Sequence, residues 1–259
     1  RLYRPALVND TIVIQSGCHG SFLGRLDLEV DGGRIVDFDH RLITVDQEIP
    51  PDPDVQELVE QALAPYRPNL SQVVGQTATP LNRNTVLEAT MDNLLLQSML
   101  ELTGAQLAFS NGWRYGAPIP IGPITLNDLW NIIPVDPPVS TCELTGDELW
   151  TMLEENLEHT FARDPYQQMG GYVKRCMGLN LYFKIENPEG QRIQELFVEG
   201  KPVEANRVYQ AAFVTSQGVP AKYGSNRQAL DISAIEGLRR YLAHNDPAEA
   251  PLRGTIVAV

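Results

Sequence analysis

Apolar positions along the chain follow two periods. Leu149, Met152, Leu153, Leu157 and Phe161 recur at helical spacing behind Thr145-Gly146-Asp147-Glu148, a capping box in which threonine and glutamate satisfy the first free amides. This predicts a helix over 147–161. Further along, residues 179–186 read as a strand that stops at Asn187-Pro188-Glu189-Gly190, where proline and glycine set a turn. Near the start, Leu26, Leu28 and Val30 alternate with Arg25, Asp27 and Glu29, Asp31-Gly32-Gly33 turns the chain, and residues 34–38 return as a second strand. Such a hairpin needs partner strands to bury its apolar face. Residues 11–17 form a short apolar run suited to a buried strand.

The prolines of 50–53 break any ladder, and a short helix is expected over 54–64, ending at Pro65. Beyond it, strands and helices alternate. A strand is expected at 73–77, a helix at 85–102 stopped by Gly104, an apolar strand at 105–109 and a short helix after Thr125. Hairpin-like strands follow at 179–186, 192–198 and 207–214, then a helix at 232–244 and a last strand at 255–259. The class is α/β (α+β): a mixed sheet with flanking helices. The expected division is 1–48, a linker with a short helix at 49–69, and a domain over 70–259.

Between the capped helix and the strand at 179 lies Asp-Pro-Tyr-Gln-Gln-Met-Gly-Gly-Tyr-Val-Lys-Arg-Cys-Met-Gly, residues 164–178. Paired glycines let a backbone approach a ligand, and Lys174 and Arg175 beside them are able to hold an anion. Tyr166, Gly170, Gly171, Tyr172 and Arg175 are therefore candidate substrate-binding residues. A second candidate cluster is Asn111, Trp113 and Arg114, placed after an apolar run and so at the C-terminal end of a strand, the usual ligand position in α/β sheets. The guanidinium of Arg114 offers a planar fork to an oxyanion.

Charge narrows the ligand classes. The net charge is −13 over 259 residues, so phosphate neutralisation cannot drive nucleic-acid binding. An anionic small molecule then needs a local cationic pocket. Cys18, Cys142 and Cys176 are odd in number and widely spaced, which fits neither a zinc site nor a disulfide framework. The four histidines, 19, 40, 159 and 244, show no ligand spacing, so neither a metal nor a cofactor is assigned to this chain, and no residue is assigned as catalytic. No apolar run approaches the roughly 20 residues needed to span a bilayer, and no membrane partner is expected.

Five motifs occur in one order: residues 12–28, Glu88-Ala89-Thr90-Met91-Asp92-Asn93-Leu94, Phe109-Ser110-Asn111-Gly112-Trp113-Arg114, Gly122-Pro123-Ile124-Thr125 and Leu144-Thr145-Gly146. This order resembles the C-terminal domain of the 5'-nucleotidase superfamily, and the 164–178 loop is similar to its periplasmic thiosulfohydrolase branch. The resemblance implies that residues 1–48 are the last strands of a metallophosphoesterase domain, a β-hairpin remnant, and that 70–259 recognise substrate. It implies two divalent metals, Mn or Zn, in an N-terminal domain whose Gly-His-x-His motif is expected just before residue 1, so the chain is expected to be a fragment. It also implies a periplasmic parent acting on a phosphate ester or thiosulfonate-type anion, free or on a substrate-carrying protein. Arg114 matches the family's substrate-binding arginine. The nucleotidases' two base-stacking aromatics have no match: Cys176 stands near one position, and residues 213–220 replace the other without its glycine motif, leaving Tyr166, Tyr172 or Phe213 as shifted substitutes. Two alternatives remain open, a true 5'-nucleotidase or 2',3'-cyclic phosphodiesterase and a stand-alone binding module.

Overall fold

The computed structural model describes residues 2–17, 20–112 and 116–259. The chain divides into two units, Arg1–Tyr66 and Arg67–Val259.

In the first unit, β1 (Ala6–Val8) and β2 (Thr11–Val13) form a small hairpin turned at Asn9 and Asp10, both at positive φ. The long hairpin expected from the alternation is present as β3 (Phe22–Asp31) and β4 (Arg34–Thr44), with Asp31 opposite Arg34. Gly32 and Gly33 sit at φ 54° and 78°, the left-handed values that a two-residue turn needs and that glycine adopts without Cβ strain. Helix α1 (Pro53–Leu63) starts where Asp52 accepts from the amides of Asp54 and Val55. No described residue of this unit is buried. Residues 11–17 thus depart from expectation: only Thr11–Val13 is a strand, and its one partner covers neither face.

In the second unit, α2 (Arg67–Leu70) leads into β5 (Val73–Thr77), α3 (Thr90–Thr103), β6 (Leu107–Ser110), β7 (Gly122–Thr125) and α4 (Leu126–Ile132). Then come β8 (Pro138–Thr145), α5 (Gly146–Phe161), a single 3-10 turn (Pro165–Gln167), β9 (Arg175–Met177) and β10 (Leu179–Phe183). The chain ends with β11 (Ile193–Val198), β12 (Lys201–Pro202), β13 (Val208–Phe213), α6 (Thr215–Gly218), β14 (Ser225–Ser233), α7 (Ala234–His244) and β15 (Ile256–Ala258). Both capping boxes, Thr125 with Asp128 and Thr145 with Glu148, are formed.

Helix α3 begins later than the apolar pattern suggests. Residues 85–89 leave helical geometry, and the Glu88 carboxylate instead accepts from the amides of Arg253, Gly254 and Thr255. Its end is as expected, with Gly104 left-handed and donating to Leu100.

A five-stranded sheet has the order β14-β8-β13-β6-β9, with β13 and β6 parallel and the other pairs antiparallel. Its side chains alternate between two cores. Ala108, Met177 and Ala212 face a core with α3, α4 and α7, whereas Leu107, Phe109, Cys176, Ala211 and Phe213 face a second core with α5. A four-stranded sheet, β12-β11-β10-β15, closes that second core with Leu181, Phe183, Leu196 and Ile256. The architecture is a mixed α/β fold with helices flanking mixed sheets.

Candidate functional site

The parallel neighbours β6 and β13 end side by side, and the chain turns polar beyond each end. After β6 come Asn111 and Gly112; after β13 comes the short α6 carrying Ser216 and Gln217. The 164–178 loop and the last turns of α5 meet these ends around a cavity of about 350 Å³, lined by Asn111, Asn156, His159, Gly170, Tyr172, Lys174 and Gln217 among others.

Hydrogen bonds set the lining. The Asn111 side-chain amide donates to Gln217 Oε1 at 2.5 Å, and Lys174 Nζ donates to the Gln217 carbonyl at 2.6 Å. Asn156 Oδ1 accepts from the Lys174 amide at 2.6 Å, and Thr160 donates to the Tyr172 carbonyl at 3.0 Å, so α5 fixes the loop from one side. Gly112 is at φ 59°, and a Cβ there would stand 2.8 Å from Arg175 Nε and 3.0 Å from Tyr172 Cδ2. Glycine is therefore required for this approach.

The candidate residues read from the sequence separate. Asn111, Gly170 and Tyr172 line the cavity, with Gly170 at φ 115° and Gly171 half-buried beside it. Tyr166 stands on the 3-10 turn with 94% of its surface exposed. Trp113 and Arg114 lie outside the described residues.

Arg175 is a correction. It is 1% exposed, its Nε lies 2.9 Å from Asp92 Oδ2, and it donates to the Thr85 carbonyl at 2.6 Å. Arg83 Nε meets the other Asp92 oxygen at 2.9 Å. Arg175 thus does not serve as a substrate-binding residue of this cavity, because pairing with β6 opposite Ser110 turns its side chain toward α3. Burial, partly offset by Asp92, pulls the Arg175 pKa down. Phe213 is a second correction: it is 5% exposed under the Arg227 guanidinium, 4.5 Å from its ring, and offers no free face for stacking.

Lys174, adjacent in sequence, points the other way. It is 6% exposed, and burial brings its pKa down to about 8. Cys176, raised to about 12 by burial, and Cys142, raised to about 11, are free but inert thiols. Asn156, His159 and Gln217 join the site without having been candidates from the sequence. Asn156 and His159 are three apart near the end of the capped helix, a spacing that marks one face; Gln217 carries no such signal.

Among the described residues no group of three or more histidines, cysteines and carboxylates is able to hold a metal ion, and no helix is long and apolar enough to cross a membrane.

The fold has relatives. A 26% identical solved structure, the sulfate thiohydrolase SoxB of Thermus thermophilus in complex with glycerol, superposes at TM-score 0.90 over 100% of this chain and 48% of that one. A 5'-nucleotidase precursor, also from Thermus thermophilus, shares the fold at TM-score 0.85 and 23% identity, over 98% of this chain and 54% of that one. The trifunctional nucleotide phosphoesterase protein YfkN of Bacillus subtilis is 26% identical over 200 residues, 73% of this chain and 13% of that protein. This chain thus spans between an eighth and about half of the relatives it matches. The family model for the 5'-nucleotidase C-terminal domain matches residues 73–216, which is more than half of the chain, and the chain belongs to that family.

Proposed function

We propose that this chain is the substrate-recognition part of a hydrolase acting on a small anionic substrate, a phosphate ester or a thiosulfonate-type anion, free or borne by a carrier protein. The observation that carries this reading is the cavity where β6 and β13 end together, with three amide side chains, one ammonium and one tyrosine converging on it. Strand ends in such sheets are where ligands sit. The likeness to a sulfate thiohydrolase at 26% identity over the whole chain supports the thiosulfonate alternative within that class. Arg114, two residues beyond the Gly112 approach, is proposed as a second cation for the same anion. Export to the periplasm, no membrane contact and no nucleic-acid partner belong to the same reading, the last on the net charge of −13.

The chain is assigned binding and orientation only.

A nucleotidase reading has one observation in its favour: Tyr172 lines the cavity and is able to stack on a base. The two readings part on selectivity. If the full-length protein hydrolyses AMP no better than a simple phosphate ester, the first stands; a strong AMP preference abolished by Y172A establishes the second. For this chain itself, a phosphate or thiosulfonate ester is expected to shift the side-chain amide resonances of Asn111 and Gln217, and unchanged resonances would refute the cavity reading.

A further inference from the structure

Lys174 is held twice, by its backbone amide to Asn156 and by its ammonium to the Gln217 carbonyl. The second bond uses one of three N–H donors. Among the described residues no carboxylate lies within 4.0 Å of Nζ, although the side chain is nine-tenths buried. An ammonium out of water with one neutral acceptor is costly unless an anion joins it. A second polar atom points the same way: Asn111 is 6% exposed, and its Oδ1, at the lining of the same cavity, has no hydrogen-bond partner among the described residues.

Surrounding charge adds to this. Among the described residues near β9 the buried cations are Arg83, Lys174 and Arg175, and the buried carboxylates are Asp92, shared by both arginines, and Glu88, occupied by three backbone amides and the Asn93 side chain. Three cations against two carboxylates leave the region with positive charge inside an acidic protein.

We propose that Lys174 is the anion-binding and specificity-determining residue of this cavity, taking one oxygen of a sulfonate or phosphate group, while Asn111 Oδ1 accepts from a hydroxyl elsewhere on the same ligand. This rests on the cavity being the substrate site. The ligand supplies the counter-charge that the protein withholds. Binding then depends on the protonation of Lys174, which is lost as pH rises through about 8. The titratable or charged groups near it are His159 from α5, Tyr172 from its own loop, and Arg175 and Cys176 from β9. The residues lining the cavity from the end of β6 and from α6, Asn111, Ser216 and Gln217, are uncharged.

Sulfate is the probe, because its charge is constant from about pH 7 to about pH 9.5. Calorimetric titration of sodium sulfate into this chain at fixed ionic strength should show binding about thirtyfold weaker at the higher pH, the loss set by 1.5 pH units above a pKa of about 8. K174M should bind at least about tenfold more weakly near pH 7 and show no pH dependence. K174R should retain affinity and also lose the pH dependence, since arginine stays charged; a merely structural role for Lys174 predicts neither. H159Q should leave the pH slope intact. Equal wild-type affinity at both pH values, no sulfate binding at all, or K174M indistinguishable from wild type overturns the proposal. The Asn111 and Gln217 resonances with an ester ligand then judge the cavity reading separately.

Discussion

Arg175 and Lys174 are consecutive cations, both nearly sealed from water, the first opening β9 and the second just before it, and their side chains point in opposite directions. Toward α3, Arg175 shares the two oxygens of Asp92 with Arg83, in a site of under 4% exposure for all three. Toward α5, Lys174 has a carbonyl and an open cavity. The first arrangement carries its own counter-charge: a buried carboxylate stands between the two guanidiniums. The second is incomplete: Lys174 has one neutral acceptor and, among the described residues, no carboxylate, and Asn111 Oδ1 has no hydrogen-bond partner there. Burial alone therefore does not distinguish a structural cation from a ligand-binding one; the presence of an internal carboxylate does.

The largest effect that tests this contrast is at Asp92. D92N should leave two guanidiniums facing each other without a carboxylate, destabilising the chain by about 3–5 kcal/mol in urea unfolding. A loss under about 1 kcal/mol would mean that solvent or another anion compensates them, and the distinction between closed and open faces would collapse.

The next effect is specific to Lys174. Its folded pKa, about 8, lies below the ordinary 10.5, so between these values the unfolded chain binds more protons and stability rises with pH. In K174M this gain is absent. The stability of wild type relative to K174M should therefore rise by up to about 3 kcal/mol from pH 7.5 to pH 10.5. Cys142 and Cys176, with raised pKa values, lower stability above their unfolded range, but they do so in both proteins and cancel in the difference. A flat difference would place Lys174 in contact with water or an unseen carboxylate.

At Gly112 the two faces touch. G112A forces a side chain into left-handed geometry at φ 59° and within 2.8 Å of Arg175 Nε. A loss of about 1–3 kcal/mol is expected, with a weakened ester response at Asn111, read by thermal unfolding and by the side-chain amide resonances. G170A is the control: φ is 115° but nothing lies within 4 Å of its Cβ, so only the backbone strain remains.

What the sequence discloses depends on whether the signal is local. Helix α5, its capping box, the Gly104 stop and the Gly32-Gly33 turn are written within a few residues, and they stand where the pattern puts them. Strand β8 has a weak signature, because its few apolar residues serve both cores, Val139 one and Cys142 and Leu144 the other. Strand β9 is three residues inside a stretch that reads as loop. Its two-residue period decides that Arg175 goes to α3 and Lys174 to the cavity, and a register of one residue leaves no trace in composition. The partner that makes Arg175 structural, Asp92, comes from a distant helix.

Tyr166 marks the small end of the scale. Proximity in sequence to Gly170 and Tyr172 makes it a candidate, yet it stands on a turn where Asp164 accepts from its amide, and 94% of its surface is exposed. An exposed side chain removed from such a turn changes stability by less than about 0.5 kcal/mol. Y166A should leave both the unfolding midpoint and the sulfate titration of this chain unchanged, whereas Y172A, which removes a wall of the cavity, should alter the ester response at Asn111. If Y166A weakens ligand binding as much as Y172A, the loop must fold over its ligand on binding. The open face would then be only part of the site.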